Sequence, residues 1–189
     1  PVGEGSRSGD AIAIRFGEQL GHPERQFVIT IDGGTQESGE KLVEHVRDYY
    51  GTERVNLAIA THLHNDHISG TRTVVEELEV DHLWMHRPWE HVPHLKSEFK
   101  DGRLKCSRIF QLRQVLSEKA RKGMETAWDL HQIALRNGTE VFEPFSDSFR
   151  DPASPIIILG PSEDFYRGLL PDFSCLPVRK EATSLAGIM

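Results

Sequence analysis

The chain has little cysteine, no net positive charge and no long apolar run. Its two cysteines, Cys106 and Cys175, lie far apart and lack the CxxC spacing of metal sites. A reducing, cytoplasmic setting is therefore expected, with pairing in an oxidising compartment as the alternative. No apolar stretch approaches the roughly 20 residues of a membrane-spanning helix, and no secretory leader is visible. The formal net charge of −7 argues against broad electrostatic docking on nucleic acid.

The 189 residues have an ordinary globular composition, with 38% hydrophobic and 27% charged side chains. The apolar periodicity predicts a β-hairpin followed by alternating helices and strands. Strands are predicted at 9–18, 25–34, 55–60, 80–86, 139–145 and 154–161. Helices are predicted at 39–51, 67–78, 107–123, 124–138 and 162–170, and glycines end the first, third and fourth of them.

Histidine, in contrast, is abundant, with 10 in the chain. Its tightest group is THLHNDHISG, residues 61–70, directly after the apolar run VNLAIA. Alternation along a strand would give His62 and His64 the same facing, and Asp66 and His67 would point into that space from the following loop. Imidazole and carboxylate ligands suit zinc, iron or manganese.

These four side chains are too close in sequence to surround one ion. We therefore expect two pairs, with His62 and His64 on one ion and Asp66 and His67 on a second. Two ions about 3.5–4 Å apart can activate water and polarise an ester, amide or phosphate.

The motif THLHNDH resembles the HxHxDH signature of the metallo-β-lactamase superfamily. The stretches GDAIAIRFG and FVITIDGG resemble the opening hairpin of that family, with Asp32 at its first motif. The segments SGDAIAIRF, IDGG and HNDHISG are most similar to the hydrolase domains of competence-type DNA-uptake proteins. The resemblance implies an α/β fold, the αββα sandwich, of which this chain would supply the N-terminal half. The domain would cover residues 1–171, with a helical insertion at about 107–138 and an irregular tail at 172–189.

The resemblance also implies roles for the motif residues. His62 and His64 would bind the first metal, and Asp66 and His67 the second. Asp66 would also handle the proton of the attacking water. Asp32 would lie beneath the site and fix the histidine loop without binding metal. The implied cofactor is a pair of zinc ions, with manganese or iron as alternatives, and the implied reaction is hydrolysis, with phosphodiesters as the favoured substrate.

The family's later ligands have no counterpart in this sequence. No Gly-Asp pair follows Gly70, and the only histidine after His94 is His131, which we expect to pack within a helix. Self-association, or a partner that completes the fold, is therefore expected to cover an apolar sheet face. Two alternatives stay open: a non-catalytic interaction or regulatory module that retains the fold, and a redox enzyme with two irons.

Two other segments allow a functional and a structural interpretation. The region 81–94 contains four histidines, and His86 could lie at the rim of the site. A surface loop with packing tryptophans is the favoured interpretation there. A basic segment could meet phosphates, although a solvated surface is favoured; its cations are Lys96, Lys100, Arg103, Lys105 and Arg108.

Overall fold

The computed structural model describes residues 9–17, 25–92, 95–96, 99–101, 103–104, 118–147 and 156–170. The strands in these residues are β1 (Ala11–Gly17), β2 (Gln26–Gly33), β3 (Arg54–Ile59), β4 (Glu79–Trp84), β5 (Phe99–Lys100), β6 (Arg103–Leu104) and β7 (Glu140–Phe142). The helices are α1 (Gln36–Tyr50), α2 (Asn65–Glu77), α3 (Pro88–His91), α4 (Glu118–Asn137) and α5 (Glu163–Leu169). None of these helices is long and apolar enough to cross a membrane.

Five strands form one sheet in the order β1-β2-β3-β4-β7. The β1–β2 pair is antiparallel, with Ile14 opposite Ile29, which confirms the predicted hairpin. The pairs β2–β3, β3–β4 and β4–β7 are parallel. The carboxyl ends of four neighbouring strands therefore lie at one edge of the sheet, where sites of open α/β sheets form. This mixed α/β sheet with flanking helices confirms the predicted fold class.

One face of the sheet is covered by helices. Helix α2 packs against both α1 and α4. The main core lies between these helices and the sheet, and includes Val28, Val43, Val46, Val74, Val75 and Leu130. The opposite face carries a smaller cluster of Ile29, Leu57 and Trp84, on which Ile156 and Ile158 pack. Both faces of the parallel strands are therefore apolar, as their continuous hydrophobic sequence predicts.

Two helices begin earlier than the sequence predicts. Helix α1 starts after Thr35, whose side-chain oxygen accepts a hydrogen bond from the Ser38 N–H, and it ends at Gly51 with φ 66°. Helix α2 starts at Asn65, two residues before the predicted start. The first turns of both helices are polar, so apolar periodicity alone places their beginnings too late.

The prediction that Gly123 ends a helix is wrong. Helix α4 runs without interruption through Gly123. A β-carbon at this position would overlap the Leu63 carbonyl oxygen, so the glycine permits close packing of the helix on the histidine segment. The helix ends before Gly138, as predicted. The start of the predicted helix at 107 lies outside the described residues.

The predicted strand at 154–161 is not a strand over 156–161. The segment alternates as a strand would, because Ile156 and Ile158 pack on the sheet while Ile157 and Leu159 are 81% and 92% exposed. What it lacks in the described part of the chain is a ladder of hydrogen bonds to a neighbouring strand. Both cysteines, His94, Lys105, Arg108 and the tail at 172–189 lie outside the described residues.

Candidate metal centre

The histidine segment lies at the carboxyl edge of the sheet, between β3 and α2. Strand β3 ends at Ile59, and His64 is extended (φ −75°, ψ 136°) as the residue that precedes α2. Asp66 and His67 therefore lie in the first turn of α2, and the expectation that they project from a loop is wrong. The polar sequence Asn65-Asp66 is typical of a helix start, which explains the difference.

Three imidazole rings converge at this edge. The ring centroid of His62 lies 4.7 Å from that of His64 and 4.1 Å from that of His67. His62 and His64 are exposed, whereas Asp66 and His67 are partly buried. The structure therefore places the predicted histidines together, although they come from a loop and a helix.

A single buried carboxylate connects this segment to the sheet. Asp32 lies near the end of β2 with a left-handed backbone (φ 51°) and is 4% exposed. Its Oδ1 accepts a hydrogen bond from the Thr61 N–H at 2.8 Å. Its Oδ2 contacts Thr61 Oγ1 at 2.6 Å and His67 Nδ1 at 3.0 Å. Three polar groups thus meet the two oxygens of Asp32, which fixes both the loop and the first turn of α2.

The surroundings of His62 favour the neutral form of its ring. Partial burial, followed by the nearby charges of His67 and His64, lowers the pKa of His62. Asp32 and Asp66 oppose that shift. A neutral imidazole is the form that binds metal ions, so a lowered pKa of His62 favours metal binding near neutral pH.

Close backbone contacts support the histidine segment from two sides. Gly70 of α2 meets Gly33 at the end of β2, where a β-carbon on either residue would overlap the other backbone. Helix α4 supports the other side through Gly123 at the Leu63 carbonyl. Beside this contact, Thr126 Oγ1 donates to Asn65 Oδ1 at 2.7 Å.

Asp32, His62 and His67 form a set that fits a metal ion. Each offers one ligand atom, and these atoms lie within 4.8 Å of one another. The donors are imidazole nitrogen and carboxylate oxygen, which suit zinc and other transition ions. The set includes Asp32, for which the family resemblance implies a supporting role. Its two oxygens already form hydrogen bonds with Thr61 and His67.

The other histidines have different surroundings. His131 is 6% exposed and packs beside Trp89 and Trp128, as expected of a helix histidine in the core. His86 is partly buried and stacks on Tyr166 with 4.6 Å between ring centroids. Burial lowers the pKa of His131 and of His86 to about 4. Both histidines are packing residues in their observed environments.

One further histidine of region 81–94 and one cation of the basic segment have charged partners nearby. His91 Nε2 contacts the Glu143 carboxylate at 3.1 Å. Lys96 pairs with Glu90 at 3.0 Å. Trp84 and Trp89 are buried, which confirms the packing tryptophans of the favoured interpretation. The loop part is wrong for residues 81–84 and 88–91, which belong to β4 and α3.

Sequence reasoning missed Thr61, Gly123 and Thr126 as supports of the site. Thr61 adjoins the motif, and its position directly before two histidines was the available signal. Gly123 and Thr126 are more than 55 residues from the motif, and no periodicity indicates that they contact Leu63 and Asn65.

Comparison with known proteins agrees with this geometry. The family model of the metallo-beta-lactamase superfamily matches residues 25–155, more than half of the chain. The match covers the sheet from β2 to β7, the histidine segment and α4. A comparison with curated proteins found no match. With the buried strands, the histidine motif and this match in agreement, the chain belongs to the metallo-beta-lactamase superfamily.

Proposed function

We propose that this protein is a metal-dependent hydrolase that acts on phosphodiesters. The observation that carries the proposal is the convergence of His62, His64 and His67 above the buried Asp32 carboxylate. Imidazoles fixed at the carboxyl edge of a sheet form a preorganised donor set. Membership of the superfamily supports metal-dependent hydrolysis as the general activity.

The motif residues divide between two zinc ions in this proposal, with manganese or iron as alternatives. His62 and His64 hold the first ion, and Asp66 and His67 hold the second. When bound, such ions lower the pKa of water and polarise the ester group. Asp66 lies in the first turn of α2, and in this proposal it also takes the proton of the attacking water. Asp32 orients its neighbours from below and is not a ligand.

The substrate class rests on the similarity of SGDAIAIRF, IDGG and HNDHISG to competence-type hydrolase domains. Lys100 and Arg103 are exposed cations of the basic segment and are available to a phosphate group. The acidic net charge of the whole chain limits such attraction to a local surface. A short diester is therefore a better first substrate than a long duplex.

Metal content and hydrolysis test the proposal together. Purified protein is dialysed against a mild chelator and analysed for metals by elemental mass spectrometry, and bis(p-nitrophenyl) phosphate and p-nitrophenyl acetate are offered as substrates. We expect close to two ions per chain and preferential diester cleavage. His62→Ala should lose metal and activity, whereas the matched control His82→Ala should retain both. If His62→Ala retained both its metal and its activity, the proposal would be wrong.

A non-catalytic interaction or regulatory module is the second candidate. Among the described residues, Asp32, His62 and His67 form the only close group of three or more ligating side chains, which favours a partial site. Protein that retains no metal and cleaves no ester would support this candidate. Bound iron with a visible absorption band would instead support a redox enzyme.

The proposed partner is a second copy of the chain. Ile157 and Leu159 are 81% and 92% exposed on a segment that already lies extended along the sheet. An exposed, extended apolar segment is a template for pairing with another strand. Light scattering should show self-association, and Leu159→Lys should reduce it, whereas Tyr49→Lys, on exposed α1, should not. A monomer at all concentrations would contradict this part of the proposal.

A further inference from the structure

We propose that Thr61 is a positioning residue that sets the proton position on His62, so that the single Asp32 carboxylate orients the donor nitrogens of both His62 and His67. The inference rests on the proposed function, because it concerns how the metal-binding nitrogens are prepared. Thr61 Oγ1 lies between Asp32 Oδ2, at 2.6 Å, and His62 Nδ1, at 2.9 Å. It thus connects the buried Asp32 carboxylate to the exposed ring of His62.

The hydroxyl proton of Thr61 has one favourable direction. A carboxylate can only accept hydrogen bonds, and a hydroxyl has one hydrogen to donate. At 2.6 Å from Oδ2, the Thr61 hydroxyl must donate to Asp32, because the opposite orientation would place oxygen lone pairs against each other. The Thr61 N–H donates to the other carboxylate oxygen at 2.8 Å, which keeps the Thr61 hydroxyl beside Oδ2.

The proton position on His62 follows from that direction. Since the Thr61 hydrogen points at Asp32, Oγ1 can only accept from His62 Nδ1 at 2.9 Å. In the neutral ring, the proton therefore lies on Nδ1 and the lone pair on Nε2. A His62 with the other tautomer would present Nε2–H, which cannot bind a metal ion.

The tautomer of His67 is set by a direct hydrogen bond to Asp32, without an intervening hydroxyl. Its Nδ1 lies 3.0 Å from Asp32 Oδ2, and a carboxylate oxygen requires a donor there. The neutral His67 ring thus also has its proton on Nδ1 and its lone pair on Nε2. One carboxylate oxygen therefore sets both tautomers, directly for His67 and through Thr61 for His62.

Thr61→Val removes the relay and keeps the backbone N–H to Asp32. Thr61→Ser restores the hydroxyl and serves as the conservative variant. Thr30→Val is the matched control, because the Thr30 hydroxyl is buried in β2 and has no hydrogen-bond partner among the described residues. The wild-type protein and the three variants are prepared as the full chain, with zinc alone as the metal probe.

The first readout uses metal-free protein with ¹⁵N-labelled histidine. Long-range ¹H–¹⁵N correlations distinguish Nδ1–H from Nε2–H rings, and near neutral pH we expect Nδ1–H for His62 and His67 in the wild-type protein. In Thr61→Val, His62 should become a mixture of tautomers while His67 is unchanged. A wild-type His62 that carries its proton on Nε2 would overturn the inference, even if no variant folds.

The second readout is the zinc dissociation constant, measured by competition with a chelating dye. Thr61→Val should raise the dissociation constant by about 10- to 100-fold, the usual effect of losing a group that orients a ligand. Thr61→Ser and Thr30→Val should stay within about three-fold of the wild-type value. Equal zinc affinity in Thr61→Val and wild type would overturn the inference. Failure of the wild-type protein to bind zinc would instead refute the proposed function, while the tautomer measurement would still decide the inference.

Discussion

Replacing Asp32 by asparagine should destabilise the metal-free protein more than its small change in size suggests. Asparagine retains the shape of the side chain and tolerates the left-handed backbone at φ 51°, so the substitution isolates the hydrogen bonds. The amide oxygen can still accept from the Thr61 N–H. The amide NH₂ would replace Oδ2 and face two donors, the Thr61 hydroxyl and His67 Nδ1–H.

The expected loss in the free energy of unfolding depends on how exposed each lost hydrogen bond is. Hydrogen bonds to a charged group contribute about 1.5–3 kcal/mol each. The Thr61 hydroxyl can turn to water because Thr61 is exposed, so its loss costs little. The His67 and Asp32 side chains are only 17% and 5% exposed, so that contact counts in full. We therefore expect the free energy of unfolding to fall by about 2–3 kcal/mol, a large part of the roughly 5–15 kcal/mol of a typical domain.

Urea denaturation of metal-free protein, followed by tryptophan fluorescence, measures this loss. The matched control is Asp81→Asn, because Asp81 also accepts from a cation and an amide but lies in a more exposed pair with Arg54. Exposed ion pairs contribute about 0–1 kcal/mol, so the control should lose no more than that. A loss below about 0.5 kcal/mol in Asp32→Asn would refute the reasoning that this carboxylate anchors the loop.

Three further predictions concern the packing, the pH dependence and the metal. Gly123→Ala should lower the free energy of unfolding by about 1–3 kcal/mol and weaken zinc binding, because the new β-carbon overlaps the Leu63 carbonyl. The control Gly168→Ala should be neutral or stabilising, because a β-carbon there meets no neighbouring atom. Equal losses for the two variants in urea denaturation would contradict the packing argument. Burial lowers the pKa of His131 from its ordinary 6.5 to about 4. As the pH falls below 6.5, His131 is therefore protonated in the unfolded chain before it is protonated in the folded chain. The free energy of unfolding that is present above pH 6.5 is lost progressively as the pH falls towards 4. His131→Leu should flatten that loss by up to about 3 kcal/mol in denaturation curves between pH 7 and pH 4, and an unchanged slope would be evidence against it. Zinc at about 100 times its dissociation constant should stabilise the fold by about 2.7 kcal/mol, and an unchanged Tm would show that the metal does not bind preferentially to the folded chain.

The sheet and most of its helices could be predicted because they depend on local periodicity. Apolar alternation identifies β1, and largely continuous apolar runs identify β2 and β3. Gly51 identifies the end of α1 because its left-handed backbone is a local property. Apolar periodicity places the starts of α1 and α2 too late, because these starts depend on polar residues that an apolar period does not include.

The closeness of the three histidine rings could be predicted from the sequence, whereas the residues that support them could not. His62, His64 and His67 lie within one short segment, so their convergence follows from the sequence. The contact of Gly123 with Leu63 joins distant segments, and only the packed structure shows it. A glycine that permits close packing has the same sequence signature as one that ends a helix, which explains the wrong prediction at Gly123.

The Asp32 carboxylate also has a consequence for the order of folding. Its partners Thr61 and His67 lie 29 and 35 residues away along the chain. The chain must therefore pair β2 with β3 in parallel, with α1 crossing over between them, before either histidine ring is oriented. Contacts of such separation form slowly, because loop closure costs entropy before the contact compensates it. Metal capture should consequently belong to the last kinetic phase of refolding, and cobalt absorption should appear only after helical circular dichroism has recovered.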